Sequence, residues 1–313
     1  MPDPIVTLIV PGRDIESFAP AAIASLQAQT DPRWRAILID DGSVDATGAV
    51  FADAAESDAR FTVVRHDTAH GLGAARNVGI ERVDTPLLGF LDGDDELTPT
   101  ALERLTGTLA ETGSDFVAGA YVRSRPHSGG YTPGRIQPWT TAATDPERRG
   151  TTIAAHPAAS ANIVAWSKIS RTDFWSDLRF PERVAYEDQI VAQRMYTRAS
   201  AFDVIPDVVV HWRVRADGSS ITQRKHEPAV LRDYLAALRD GLRILHDAGA
   251  SGAVIARLDL ILAMDIPPLQ KIAASLDDPA YGLEVEAFVA ELRALPEYVH
   301  ARPDPSLVDA LEW

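Results

Sequence analysis

IVTLIVPGRDIESFAPAAIASLQAQTDPRWRAILIDDGS, residues 5–43, decides the fold. Ile5 to Val10 is an unbroken apolar run rich in β-branched residues, the pattern of a parallel strand buried on both faces. Glu16 to Gln29 has helical periodicity, and Trp34 to Ile39 repeats the buried-strand pattern. The alternation continues: a helix over Asp45 to Ala59 with Ser43 or Asp45 as N-cap, a strand over Phe61 to Val64, a helix over Leu72 to Val83, and a strand over Pro86 to Leu91. Thr98-Pro99 reads as the N-cap and first position of the next helix. Strands alternating with helices predict an α/β domain built on a parallel, doubly wound sheet.

Outward from this core the pattern changes twice. Over Ser124 to Gly150 the periodicity fails and Gly, Pro, Ser and Arg dominate, so a long loop is expected. Regular structure returns near Ile163, with a helix over Glu187 to Ala199 and a strand pair over Phe202 to Arg213. Beyond Glu227 the reading is helical, over Pro228 to Ala248, Gly252 to Met264 and Gly282 to Leu295. The expected organisation is a catalytic domain over 1–226, divided into 1–123 and 124–226, and a helical region over 227–313. The apolar faces of those helices must be covered, which points to self-association through the C-terminal region.

The chain has 313 residues, 46% hydrophobic and 24% charged, a globular composition. Its formal charge of −15 repels nucleic acid and anionic lipid, which excludes most binders of either. With no cysteine there is neither a disulfide framework nor a thiolate metal site. The N-terminus lacks the pattern of a secretory signal, and no apolar run reaches membrane-spanning length. The expected location is the cytoplasm, or the inner face of the membrane as a peripheral protein.

Open parallel sheets bind ligands beyond the carboxyl ends of their strands. There the first strand delivers Pro11, Gly12, Arg13 and Asp14, and the second Asp40, Asp41, Gly42 and Ser43. The third delivers His66 and Asp67, and the fourth Asp92, Gly93, Asp94 and Asp95. Pro11, Asp14, Asp41 and Gly93 lie at these strand ends and are candidate ligand contacts, with Asp40 read as a turn residue. Carboxylates crowded on one rim need a cation, and Mg²⁺ or Mn²⁺ carrying a nucleotide diphosphate satisfies them. Such an ion also reconciles an acidic protein with an anionic substrate. Gly71-Leu72-Gly73 is not a dinucleotide fingerprint, because Arg76 stands where the third glycine belongs. Neither a phosphate-loop lysine motif nor a nucleophile elbow occurs.

Three segments, IVTLIVPGRD, SLQAQTDPRWRAILIDDGSVDAT and GLGAARNVGIERVDTPLLGFLDGDD, resemble the nucleotide-binding half of the inverting family-two glycosyltransferases of the GT-A fold. That resemblance implies a mixed, Rossmann-like sheet flanked by helices. It implies a pyrimidine contact at Asp41, a DxD signature on Asp92-Gly93-Asp94 with Asp94 and Asp92 as metal ligands, and Arg76 near the donor. The family's usual aromatic and Asn after the first strand are absent. SKISRTDFWSDLRFPERVAYEDQIVAQRMY is similar to the family's acceptor-side stretch, which implies Asp188 as catalytic base beside Glu187. Such a base is needed because an acceptor hydroxyl attacks well only as its proton leaves. VVVHWRVRADGSSITQRK is similar to the family's closing segment, so His211, Arg213, Ser219 and Ser220 are expected over the diphosphate. Arg213, Arg215, Arg224 and Lys225 form a basic island suited to leaving-group phosphate. The order of motifs resembles enzymes that glycosylate wall teichoic acids, implying a UDP-sugar donor and a glycan or polyol-phosphate acceptor.

Blander roles compete at several positions. Glu187 and Asp188 could complement a helix dipole, His211 could be a core histidine, and Trp166, Trp175 and Trp212 could be packing residues or sugar platforms. Two other functions share the motifs. A nucleotidyltransferase also holds metal with aspartates, and an inactive glycan-binding module could keep the fold.

Overall fold

The computed structural model of the protein describes residues 2–216 and 224–312, with side chains up to 308. Its first half follows the alternation: β1 (Val6–Gly12), α1 (Ala19–Gln27), β2 (Trp34–Asp41), α2 (Thr47–Ser57), β3 (Phe61–His66), α3 (Leu72–Ile80) and β4 (Leu87–Phe90). These four strands pair in parallel, β1 between β2 and β4 and β3 outside β2. Val6 to Pro11 are all buried, which is why they form an unbroken apolar run.

Past β4 the sheet becomes mixed. The chain continues through β5 (Glu96–Leu97), α4 (Ala101–Thr112), β6 (Phe116–His127), β7 (Gly130–Ile136), α5 (Pro138–Thr144), β8 (Arg148–Thr151), β9 (Lys168–Arg171), α6 (Glu187–Arg198) and β10 (Phe202–Arg213). The strand order is β3-β2-β1-β4-β9-β6-β10-β5. β9 lies antiparallel between β4 and β6, whereas β10 runs parallel to β6. The parallel arrangement therefore covers the first half, and the sheet as a whole is the mixed one that the family resemblance implies.

Three local expectations are corrected, and an open alternative at α2 is resolved. The segment 124–150 is ordered: β6 runs on to His127 and turns into β7, and α5 and β8 follow. This hairpin is mostly exposed, so burial imposes no apolar alternation for a sequence reading to detect. The strand pair expected over 202–213 is one strand with register shifts around Pro206, which has no N–H for the ladder. Thr98 does not cap α4. Its amide and hydroxyl donate to the carbonyls of Val209 and Val208 at 3.0 and 2.7 Å, and the helix begins at Ala101. At α2, Asp45 rather than Ser43 takes the first helical amide, Thr47, at 2.9 Å.

The C-terminal part is helical: α7 (Pro228–Asp247), α8 (Ser251–Leu260), a π-turn over Ile261–Asp265, α9 (Ile266–Ser275) and α10 (Pro279–Ala294). The π-turn precedes Pro267 and Pro268, which lack the amides an α-helical ladder needs. Leu231, Leu238, Leu245, Val254, Leu258, Ile261, Tyr281 and Phe288 form a core of their own. Much of each helix's apolar face is thus covered within the chain, while Leu283 and Val299 remain exposed. No described helix is long and apolar enough to cross a membrane.

Candidate active site

The loops after β1, β2 and β4 interlock. The Gly93 amide donates to the Pro11 carbonyl at 3.0 Å, and a Cβ on Gly93 would lie 2.5 Å from the Ile15 side chain. Only glycine allows the loop after β4 to sit this close to the loop after β1. Asp14, in the left-handed region at φ 51°, donates its amide to Ser43 Oγ at 3.1 Å and accepts the Val44 amide at 2.9 Å. Asp40 is fully buried and takes the Ser43 amide at 2.9 Å, a turn role as expected. Asp41 is buried too, accepting His66 Nδ1 at 2.8 Å and the amides of His70 and Gly71 at 2.9 and 2.8 Å. Burial acts to raise its carboxyl, but those three donors outweigh it and hold the group below the usual range. The His66 and His70 rings stack at 4.6 Å beside it.

Arg76 joins this rim to the distant Glu187-Asp188 pair. Its guanidinium is 0% exposed, with Nη2 donating to Asp92 Oδ1 and Nη1 to Glu187 Oε1, both at 2.6 Å. Asp188 Oδ1 lies 3.6 Å from Nη1. The segment before α6 is drawn in by α3. A Cβ on Gly73 would stand 2.1 Å from the Pro181 carbonyl, and Asn77 exchanges two 2.9 Å bonds with the Phe180 backbone. The Phe180 ring lies 5.1 Å from the Arg76 guanidinium.

Crowded charge shifts the acids. Burial pushes Asp92 up to about 6; Arg76 opposes this, and Asp94 and Asp188 add to it. Asp95 is held well above the carboxylate range by burial and then by Asp94 and Asp92, although it accepts the Arg213 amide at 2.8 Å. Glu187 is raised to about 8 by burial and the adjacent Asp188, against Arg76. Carboxylate oxygens of Asp92, Asp94 and Asp95 lie within 4.8 Å of one another. Hard oxygen donors with a deficit of positive charge are what Mg²⁺ or Mn²⁺ requires, so these residues fit such an ion. Asp95 joins the two expected ligands, and its place in the DGDD run is the sequence signal for it.

The basic island folds back on these acids. Arg213 Nε donates to the Asp94 carbonyl at 2.6 Å and Nη2 to the Phe18 carbonyl at 2.9 Å, while Nη1 meets Glu96 at 3.0 Å. Arg215 reaches Asp94 Oδ2 at 2.7 Å. Arg224 pairs instead with Glu227. His211 sits half-buried opposite Glu96 on β5, its ring lowered by burial with Glu96 opposing. Ser219 and Ser220 lie outside the described residues. Trp166 and Trp175 are core residues, and Trp212 packs on Trp166 with the Arg123 guanidinium 4.8 Å from its ring.

Known proteins share this architecture. The chain is similar to the uncharacterized glycosyltransferase EpsJ of Bacillus subtilis (strain 168), at 28% identity over 72% of this chain and 65% of EpsJ. The matched region thus spans just under two thirds of that relative. Residues 1–349 of S. aureus TarS superpose with a TM-score of 0.69 at 20% identity, covering 98% of this chain and 82% of that one, and TarS has been crystallised with UDP-GlcNAc. The mannosyltransferase PcManGT from Pyrobaculum calidifontis, solved with GDP-Man and Mn²⁺, has a TM-score of 0.58 at 17% identity, over 99% and 85% of the two chains. At such identities these two structures speak for the fold. The model of glycosyl transferase family 2 matches residues 7–168, more than half of the chain, and the protein belongs to that family.

Proposed function

We propose that this chain is an inverting glycosyltransferase that moves a sugar from a UDP-linked donor to a hydroxyl of a glycan or polyol-phosphate acceptor. The observation that carries the proposal is the Arg76 bridge, which holds the DGDD acids and the Glu187-Asp188 pair in one site. Family membership, the TarS complex with UDP-GlcNAc and the PcManGT complex with Mn²⁺ support the donor class. For a wall-polymer acceptor the support is the resemblance in motif order.

Asp188, at the first turn of α6, takes the acceptor proton as the hydroxyl oxygen attacks the anomeric carbon. The bond from that carbon to the diphosphate oxygen breaks on the opposite face, so one displacement inverts the configuration. Asp94 and Asp92 would hold a Mg²⁺ or Mn²⁺ ion, which when bound neutralises charge on the departing diphosphate. Arg76 holds Asp92 and Glu187 in place, while Arg213 fixes the loop that carries Asp94. Pro11, Asp14, Asp41 and Gly93 shape the donor end, with His211 and Arg213 beside the diphosphate.

Release of UDP from UDP-sugars tests this. Asp188→Asn should lower turnover about a hundredfold or more while leaving UDP binding intact. Asp94→Ala, or chelation by EDTA, should abolish turnover and weaken UDP binding together. Undiminished turnover in both variants would remove the assignment. Pyrophosphate release from a nucleoside triphosphate would favour a nucleotidyltransferase.

A further inference from the structure

β9 opens on Lys168, whose side chain runs through the core at 3% exposure. A buried cation costs free energy unless its protons are matched. Nζ donates to Asn162 O at 2.8 Å, Asn162 Oδ1 at 2.9 Å and Val164 O at 2.6 Å. Three oxygens for three protons suit an ammonium, because a neutral amine would leave one oxygen unmatched. Burial pushes the group down to about 7, with Asp188 opposing. Residues 162–164 form neither helix nor strand, and their path is held by these bonds together with the Asn162 and Ile163 amides, which donate to the Ala159 and Ala161 carbonyls. Asn162 is further held by Tyr196, Ser167 and the Gly119 carbonyl.

The next residue connects this loop to the chemistry. The Ala165 amide donates to Asp188 Oδ2 at 3.3 Å. Lys168, Val164, Ala165 and Asp188 line the same small cavity. Arg76 Nη1 lies 3.6 Å from the Asp188 carboxylate and also binds Glu187, which adjoins it in sequence. A packing filler at position 168 would need no charge and would not gather carbonyls.

We propose that Lys168 is a positioning residue for Asp188: its ammonium gathers the Asn162 and Val164 carbonyls and so sets the Ala165 amide that holds the carboxylate. The proposal rests on the reading of Asp188 as the base. The full chain carrying Lys168→Met, Lys168→Arg, Asn162→Ala or Asp188→Asn tests it. The readouts are UDP release from UDP-N-acetylglucosamine and UDP-glucose with Mn²⁺ and water as acceptor, UDP affinity by calorimetry, and amide exchange by mass spectrometry.

Lys168→Met should lower kcat about tenfold or more with UDP affinity unchanged, and peptides spanning 160–168 should exchange faster while those of β1 and β4 stay protected. Lys168→Arg should recover most of the turnover, and Asn162→Ala should fall between. If Lys168→Met does not fold, Asn162→Ala against Lys168→Arg makes the same comparison. Wild-type exchange over 160–168 in Lys168→Met or Asn162→Ala, or wild-type turnover beside an inert Asp188→Asn, overturns the proposal. Full turnover in Asp188→Asn overturns the base reading instead. The exchange measurement decides the clamp even where neither donor is turned over.

Discussion

At the scale of single residues, Arg76 and its acids dominate. Replacing the buried guanidinium with an apolar group leaves buried Glu187 and partly exposed Asp92 without their partner. Arg76→Met should therefore destabilise the protein by about 3–5 kcal/mol, read as a lower urea midpoint. Arg76→Lys should not restore it, because an ammonium cannot span Asp92 and Glu187 as the two arms of a guanidinium do. Glu187 sets a pH dependence. Its carboxyl rises from an ordinary 4.5 to about 8 through burial and the adjacent Asp188. Between those values the folded chain holds a proton that the unfolded chain has lost, so this contribution to stability is full below about 4.5 and fades as pH rises through 8. Urea midpoints taken from pH 5 to 9 should decline less in Glu187→Gln than in wild type. Equal slopes would show that Glu187 stays ionised in the fold.

Among the elements, the approach to α6 stores strain. Arg183 and Tyr186 have φ of 60° and 62°, the left-handed region that favours glycine. Both lie in the segment between the α3 anchor at Phe180 and the Glu187-Asp188 pair, and Asp233 of α7 accepts the Ala185 amide at 3.0 Å. Fixed ends force the left-handed turns, and the turns aim Glu187 and Asp188 inward. Arg183 is exposed, so Arg183→Gly removes strain without emptying a core. We expect a gain of about 0.5–1 kcal/mol in unfolding free energy, visible as a raised melting temperature. A lower melting temperature would mean that the arginine side chain stabilises the turn.

Across the whole molecule, the sheet core and the core of the C-terminal helices meet around α6. The Tyr186 and Tyr234 rings lie 4.5 Å apart, Arg257 reaches Gln189 at 3.2 Å, and the Tyr281 hydroxyl bonds the Lys225 carbonyl at 2.9 Å. We propose that the helical region beyond residue 226 folds with the catalytic part as one unit. Trp34, Trp166 and Trp175 report on the first core by fluorescence, and far-ultraviolet circular dichroism follows the helices. Their denaturation curves should coincide. Two separated transitions would show independent domains.

Burial on both faces writes a local apolar run, so β1 to β4 and their alternating helices were legible in residues 5–91, and with them the acids at the strand ends. The nearness of Asp92 and Asp94 was legible too, since one short loop carries both. Other features depend on partners distant in the chain and leave no local period. β9 runs against β4 and β6, and the exposed β6–β7 hairpin obtains its order from backbone pairing rather than from burial. The basic island is legible as a run of cations, but only the fold shows that Arg213 and Arg215 also hold the loop that bears Asp94. By itself the sequence determined the half-sheet, its rim of carboxylates and the candidate base. Only the tertiary structure decided that Arg76 joins them and that Lys168 is buried behind Asp188, because a charged side chain shows its partners only once the chain has closed around it.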